Sequence, residues 1–136
     1  MLEDVFKNTY LLKRSLDASW LRNKVISNNI ANVDTPGYKG QKVQFEEFLS
    51  QAIDNKAVQG VITNEKHIPI GAGSIGRLNA KVVTDNSTSM RLDGNNVDIE
   101  SEMAQMAKNN IMYNALIQKI SGEFSKLRTA INGGGK

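Results

Sequence analysis

Apolar residues three and four positions apart recur through both ends of this chain, and nothing between them constrains the fold as much. In the N-terminal segment Leu2, Val5, Thr9, Leu12, Leu16, Ser19, Asn23, Ile26, Ile30 and Val33 follow one another at alternating spacings of three and four. That alternation is a heptad seam, the stripe with which one helix lies along another. Thr9, Ser19 and Asn23 dilute it with polar groups. The C-terminal seam is stronger: Ile99, Met103, Met106, Asn110, Tyr113, Ile117, Ile120, Phe124, Leu127 and Ile131, of which only Asn110 is polar. Each helix would be about 45–50 Å long at the α-helical rise, several times the mean helix. The expected fold is mainly α: two long terminal helices form a coiled-coil-like unit, with a small irregular, β-containing middle segment.

The punctuation agrees. Glu3 and Asp4 fall in the first turn of the first helix, where carboxylates favour the positive end of the macrodipole. That helix runs into SNNIANVDTPGYKG, residues 27–40. Asn32 suits a left-handed C-terminal position, Pro36 biases Thr35 out of the helical region, and Pro36-Gly37 suits the centre of a type II turn. The second helix opens after RLDGNNVD, residues 91–98, with Asp98 as candidate N-cap. Glu100 and Glu102 follow in its first turn, and Lys126 and Arg128 lie near its end. The chain thus divides into an N-terminal helix at 1–35, a middle segment at 36–96 and a C-terminal helix at 97–132. Within the middle, QFEEFLSQAI (44–53) places Phe45, Phe48, Leu49, Ala52 and Ile53 on one helical face. GVITN and AKVVTD read as short strands, and KHIPIGAGSIGRLN as a turn-rich loop.

Chemistry is hard to place on these residues. The 136-residue chain suits one domain, and its +3 charge comes from 17 basic and 14 acidic side chains that are interspersed. No basic stripe suits a nucleic-acid backbone. The absence of cysteine excludes disulfides, thiolate nucleophiles and zinc–thiolate sites. No apolar run is long enough to span a bilayer, and the acidic N-terminus does not read as a cleaved signal peptide. His67 has no histidine or cysteine to share a metal with, so it reads as an ordinary loop residue. GAGSIG (71–76) matches Gly-x-Gly-x-x-Gly, yet a strand-like alternation follows it where a dinucleotide site needs a helix. Counting an EF-hand loop back from Gly94 puts Arg91 at a ligand position, which excludes calcium there. Asn86-Ser87-Thr88 is only a formal glycosylation acceptor, and the neighbours Glu46 and Glu47 point to different sides of a helix. The expectation is a protein that is not an enzyme, with no cofactor, metal or small-molecule substrate.

The seams remain. They fit an intramolecular hairpin, and they also fit assembly between chains. Off-seam Phe6, Tyr10, Trp20, Ile111, Met112 and Leu116 widen the apolar surface beyond what one partner helix covers, which favours assembly.

The stretch RNKVISNNIANVDTPGYKGQKVQFEEFL resembles the N-terminal signature of the axial proteins of the bacterial flagellum, the rod and hook family. RLDGNNVDIESEMAQMAKNNIMYNALIQKISGEFSKLRTAI is similar to the C-terminal end of its proximal rod members. The family motif falls on Asn28, Asn29, Ile30, Ala31, Asn32, Thr35, Pro36, Gly37 and Tyr38, and then on Asp93, Gly94, Asn95, Asn96, Val97 and Asp98. Val33 stands where many members carry a small residue. The resemblance implies a structural subunit of the proximal rod of the basal body. Such a subunit polymerises through its terminal helices into a tube that transmits torque and houses the export channel. It also implies a place outside the cytoplasmic membrane, in the periplasm or cell-wall space. The implied partners are other copies of the chain, sibling rod proteins, the rod–ring adaptor and membrane-ring components, and the flagellar type III export apparatus. A soluble coiled-coil adaptor or secretion chaperone is the alternative that the heptads alone would allow. The asparagine clusters would either cap their own helices or meet a neighbouring subunit.

Overall fold

The computed structural model describes residues 2–54, 79–87 and 91–133, with side chains described over 8–50, 79–87 and 91–133. The elements run α1 (Leu2–Ala31), β1 (Gln41–Gln44), α2 (Glu46–Asp54), β2 (Lys81–Thr84) and α3 (Ile99–Gly133). The chain is mainly helical, as the seams require, and its two long helices lie at the ends. They are antiparallel: Ser19 of α1 bonds Asn109 of α3, whereas the carbonyl of Asn32 bonds Asn95 just before α3 begins. Among the described residues no helix is long and apolar enough to cross a membrane.

Local chemistry sets the ends of the helices. Asp98 Oδ1 accepts from the backbone N–H groups of Glu100 (3.0 Å) and Ser101 (3.5 Å), which makes it the N-cap of α3. Behind α1, Gly37 takes φ +70° and Tyr38 N donates to Thr35 O at 3.2 Å, the geometry expected of Pro36-Gly37 in a type II turn.

Among the described residues the β-structure is a two-stranded antiparallel sheet in which Val43 faces Val82 and Gln41 faces Thr84. The sequence reading places β2 within AKVVTD, but it has no strand over 41–44 and starts the middle helix at 44 instead of Glu46. QKVQ carries a single apolar residue, so periodicity has nothing to register there. The GVITN strand, His67 and the GAGSIG loop lie outside the described residues, as do the side chains of Ala52 and Ile53.

The core is small. Phe45 packs with Ala18 of α1, and Phe48, Leu49 and Ala80 close over them; Val25, Ile26 and Val97 are also buried. Among the described residues the largest fully buried side chains are polar instead: Asn29, Asn95, Asn109 and Ser19.

Candidate functional site

Each buried asparagine reads backbone or side-chain groups of another segment, because one primary amide both donates and accepts. Asn95 lies before α3 but holds the turn that follows α1. Its Nδ2 donates to the carbonyls of Asn32 (2.9 Å), Val33 (2.9 Å) and Thr35 (3.0 Å), and its Oδ1 accepts from Val97 N at 2.8 Å. These carbonyls lie in the turn just past Ala31, so Asn95 holds that turn from afar, while the N–H groups of Asn32 and Val33 bond the last carbonyls of the helix locally. Arg91 adds a bond from Nη1 to the Val33 carbonyl at 3.1 Å and pairs with Asp93 at 2.8 Å. The Asn95 backbone N–H and then Arg91 hold the Asp93 carboxyl below the usual carboxylate range, against its partial desolvation.

Asn29 pins β1 to α1. Its Nδ2 donates to Gln41 O at 2.8 Å and its Oδ1 accepts from Gln41 N at 2.9 Å, as a neighbouring strand would. Tyr38 Oη donates to the same Oδ1 at 3.2 Å. Asn96 does the equivalent at the open end of the sheet: Gly40 N donates to its Oδ1 at 2.7 Å, and its Nδ2 donates to Asp85 O at 2.8 Å. Asn32 turns back on its own helix, donating to Asn28 O at 2.8 Å. Gly37 N donates to Asp93 O at 2.8 Å and joins the two loops directly. Gly94, with φ +76°, brings its own backbone close to Gly37. The two asparagine clusters therefore form one junction that holds the end of α1, the sheet and the start of α3.

Higher up the helix pair Asn109 makes the same kind of contact. Its Nδ2 donates to Ser19 O and to Asn23 Oδ1, both at 2.8 Å, and its Oδ1 accepts from Ser19 Oγ at 3.0 Å. Asn23 reaches Asn110 at 3.1 Å. Arg22 pairs with Glu46 at 2.6 Å, and this guanidinium holds the Glu46 carboxyl below its ordinary value although burial pushes the other way.

Among the predicted seam residues of α1, Ile26 is buried and Leu12, Leu16, Ile30 and Val33 are half-buried; the side chains of Leu2 and Val5 lie outside the described residues. The α3 seam divides. Met106, Tyr113, Ile120 and Leu127 are half-buried and share a face with buried Glu102 and Asn109. Ile99, Met103, Ile117, Phe124 and Ile131 are exposed, the last at 78%. From Met103 through Asn110, Ile117 and Phe124 to Ile131 the interval is seven residues, so this is one continuous stripe along α3. In the motif, Asn29, Asn95 and Val97 are buried, Asn32, Tyr38, Asp93, Gly94 and Asn96 are half-buried, and Asn28, Ala31, Thr35, Pro36, Gly37 and Asp98 are exposed. Sequence reasoning missed Asn109, Glu102 and Arg91. Asn109 was detectable as a second polar position in a heptad frame shifted by one residue, in register with Glu102 and Met106.

The family model described as Flagella basal body rod protein matches residues 21–39, the α1 side of this junction. Over 123 residues the chain is 37% identical to the flagellar basal body rod protein FlgB of Bacillus subtilis (strain 168), covering 90% of this chain and 92% of that protein. It is 36% identical over 126 residues to the FlgB protein of Borrelia hermsii, covering 89% and 93% of the two chains. The chain belongs to the FlgB family of flagellar basal body rod proteins. The Escherichia coli (strain K12) member is 29% identical over 118 residues, or 83% of this chain and 84% of that one. The FlgB family is a family of structural rod proteins, so this chain is a structural component of the flagellar basal body and serves motility. Among the described residues no three His, Cys, Asp or Glu side chains are grouped to hold a metal ion.

Proposed function

We propose that this chain is a subunit of the proximal rod, polymerising through its terminal helices into a helical axial tube that transmits torque and surrounds the export channel. Carrying this reading is the exposed stripe of Ile99, Met103, Ile117, Phe124 and Ile131 on a helix whose adjoining face is already engaged. Large apolar side chains in water at heptad spacing gain about 1.5–3 kcal/mol each on full burial, before ordering costs. A head-to-tail contact that does not close into a ring extends into an open helix. Segments 1–35 and 97–132 build the tube unit and 36–96 the part outside it. The partners are other copies of the chain, sibling rod proteins, the rod–ring adaptor and membrane-ring components, and the type III export apparatus. The seam residues are the contact surface, and the junction fixes how the two helices are presented to a neighbour. The test is a clean deletion in the source bacterium, complemented with the wild-type copy and scored for motility and for rods in isolated basal bodies. Loss of rods with the membrane ring retained is the expected outcome; intact rods and normal swimming would overturn the reading.

A further inference from the structure

Glu102 stands apart from the satisfied amides of the junction. It is 8% exposed, and no hydrogen-bond donor among the described residues reaches its buried Oε2. An ionised carboxylate taken out of water is costly unless a donor or a cation compensates it. The groups around it compensate it only in part. Asn29 of α1 offers Glu102 a hydrogen bond but shares its amide with Gln41, and Tyr38 in the turn donates to Asn29. Lys42 of β1 is committed to Asp85 at 2.6 Å, while Asp98 in the first turn of α3 is a like charge that caps the helix. Burial, with some help from Asp98, pushes the Glu102 carboxyl up, against the opposing influence of Asn29 and Lys42. Tyr38 is pushed up as well, by burial and then by the charge of Glu102.

Glu102 also lines a groove of about 100 Å³ whose other walls include Gly40, Lys42, Asp85, Asp98 and Gln105. With Lys42 and Asp85 neutralising one another, the carboxylates of Asp98 and Glu102 leave the groove negative. Its volume admits an ammonium or guanidinium head but no secondary-structure element. The groove lies on the same first turns of α3 that expose Ile99 and Met103, where the apolar stripe begins. We propose that this groove receives a lysine or arginine side chain from a second copy of this chain, whose cationic head pairs with Glu102 Oε2 when subunits assemble. The inference rests on the self-assembly reading above and adds to it the polar contact that sets one subunit's register on the next. The chain carries 17 basic residues against 14 acidic ones, so a cation to fill the groove is at hand in every copy.

The test is Glu102→Gln in the full chain, with two readouts. In the purified protein at pH 7 the variant removes an uncompensated buried charge, so its melting temperature rises by about 3–6 °C. The difference closes on acidification, as the raised wild-type carboxyl takes up its proton. In the deletion strain the same variant gives about tenfold fewer rods per basal-body preparation, because a neutral amide pairs weakly with a cation. A variant that melts higher yet assembles poorly has not failed through unfolding. Melting at or below wild type would show that Oε2 is satisfied within the chain and would overturn the proposal. So would wild-type rod numbers in a strain whose deletion parent lacks rods. Rods persisting in the deletion parent itself would instead defeat the proposed function on which this contact rests.

Discussion

Asn95 holds the turn after α1 from the far side of the molecule, and its replacement should be costly. Asn95→Ala strands the buried Val97 N–H and withdraws a donor from three carbonyls. Leaving buried groups unpaired costs about 1–3 kcal/mol each, so a loss of about 2–3 kcal/mol is expected in chemical denaturation. Asn95→Asp should be at least as damaging, since a carboxylate faces carbonyl oxygens with nothing to donate. Gly37→Ala should cost about 1 kcal/mol, because its φ of +70° is strained for any residue with a Cβ. The ionisable residues around the junction give a pH dependence with a definite sign. Asp85, Asp93 and Glu46 all have lowered carboxyl pKa values, Asp85 chiefly through Lys42. Their contribution is present above the ordinary carboxylate range and is lost as pH falls through their folded values. Glu102 runs the other way: its penalty is absent at low pH and grows as pH rises through its raised value. Thermal melts from pH 7 to pH 3 should therefore show the variant Glu102→Gln losing stability on acidification more steeply than wild type.

At the scale of elements α3 has two working faces separated by one step of the heptad. Ile117→Asp alters an exposed position and should leave the melting of the purified chain within about 0.5 kcal/mol of wild type while abolishing rods. Ile120→Asp, on the half-buried face, should lower the stability of the chain itself by about 1–3 kcal/mol as well as blocking assembly. Comparing the two by circular dichroism and basal-body yield separates the inner face from the outer. The two long helices were legible because 3-4 spacing is a property of one segment, and so were the Pro36-Gly37 turn and the Asp98 cap. The division of the α3 seam was not, because neighbouring heptad frames share the same period and a count of apolar residues overlooks a buried asparagine. β1 was illegible for a related reason: QKVQ is extended because Asn29 engages Gln41, Asn96 holds Gly40 just before it and β2 pairs with it, and those partners lie outside the segment.

The molecule as a whole is partly inverted. Its helix pair is joined through Ser19, Asn23, Asn109 and the junction asparagines, while Trp20, Ile111, Phe124 and Ile131 face outward. Polar seams specify register more than they add stability. Hydrogen exchange on the purified chain should accordingly find its slowest amides around the junction and the Phe45–Ala18 core. The C-terminal turns of α3 beyond Ile117 should exchange faster, and slow markedly in isolated rods. Where the first helix ends also bears on synthesis. The carbonyl of Val33 takes its bonds from Asn95 and Arg91, about sixty residues downstream. A ribosome that has made the first helix and its turn has thus not yet made what holds that turn. A copy broken off before residue 91 keeps a loose turn at the place where all three segments meet, so the junction closes only around a chain made past that point.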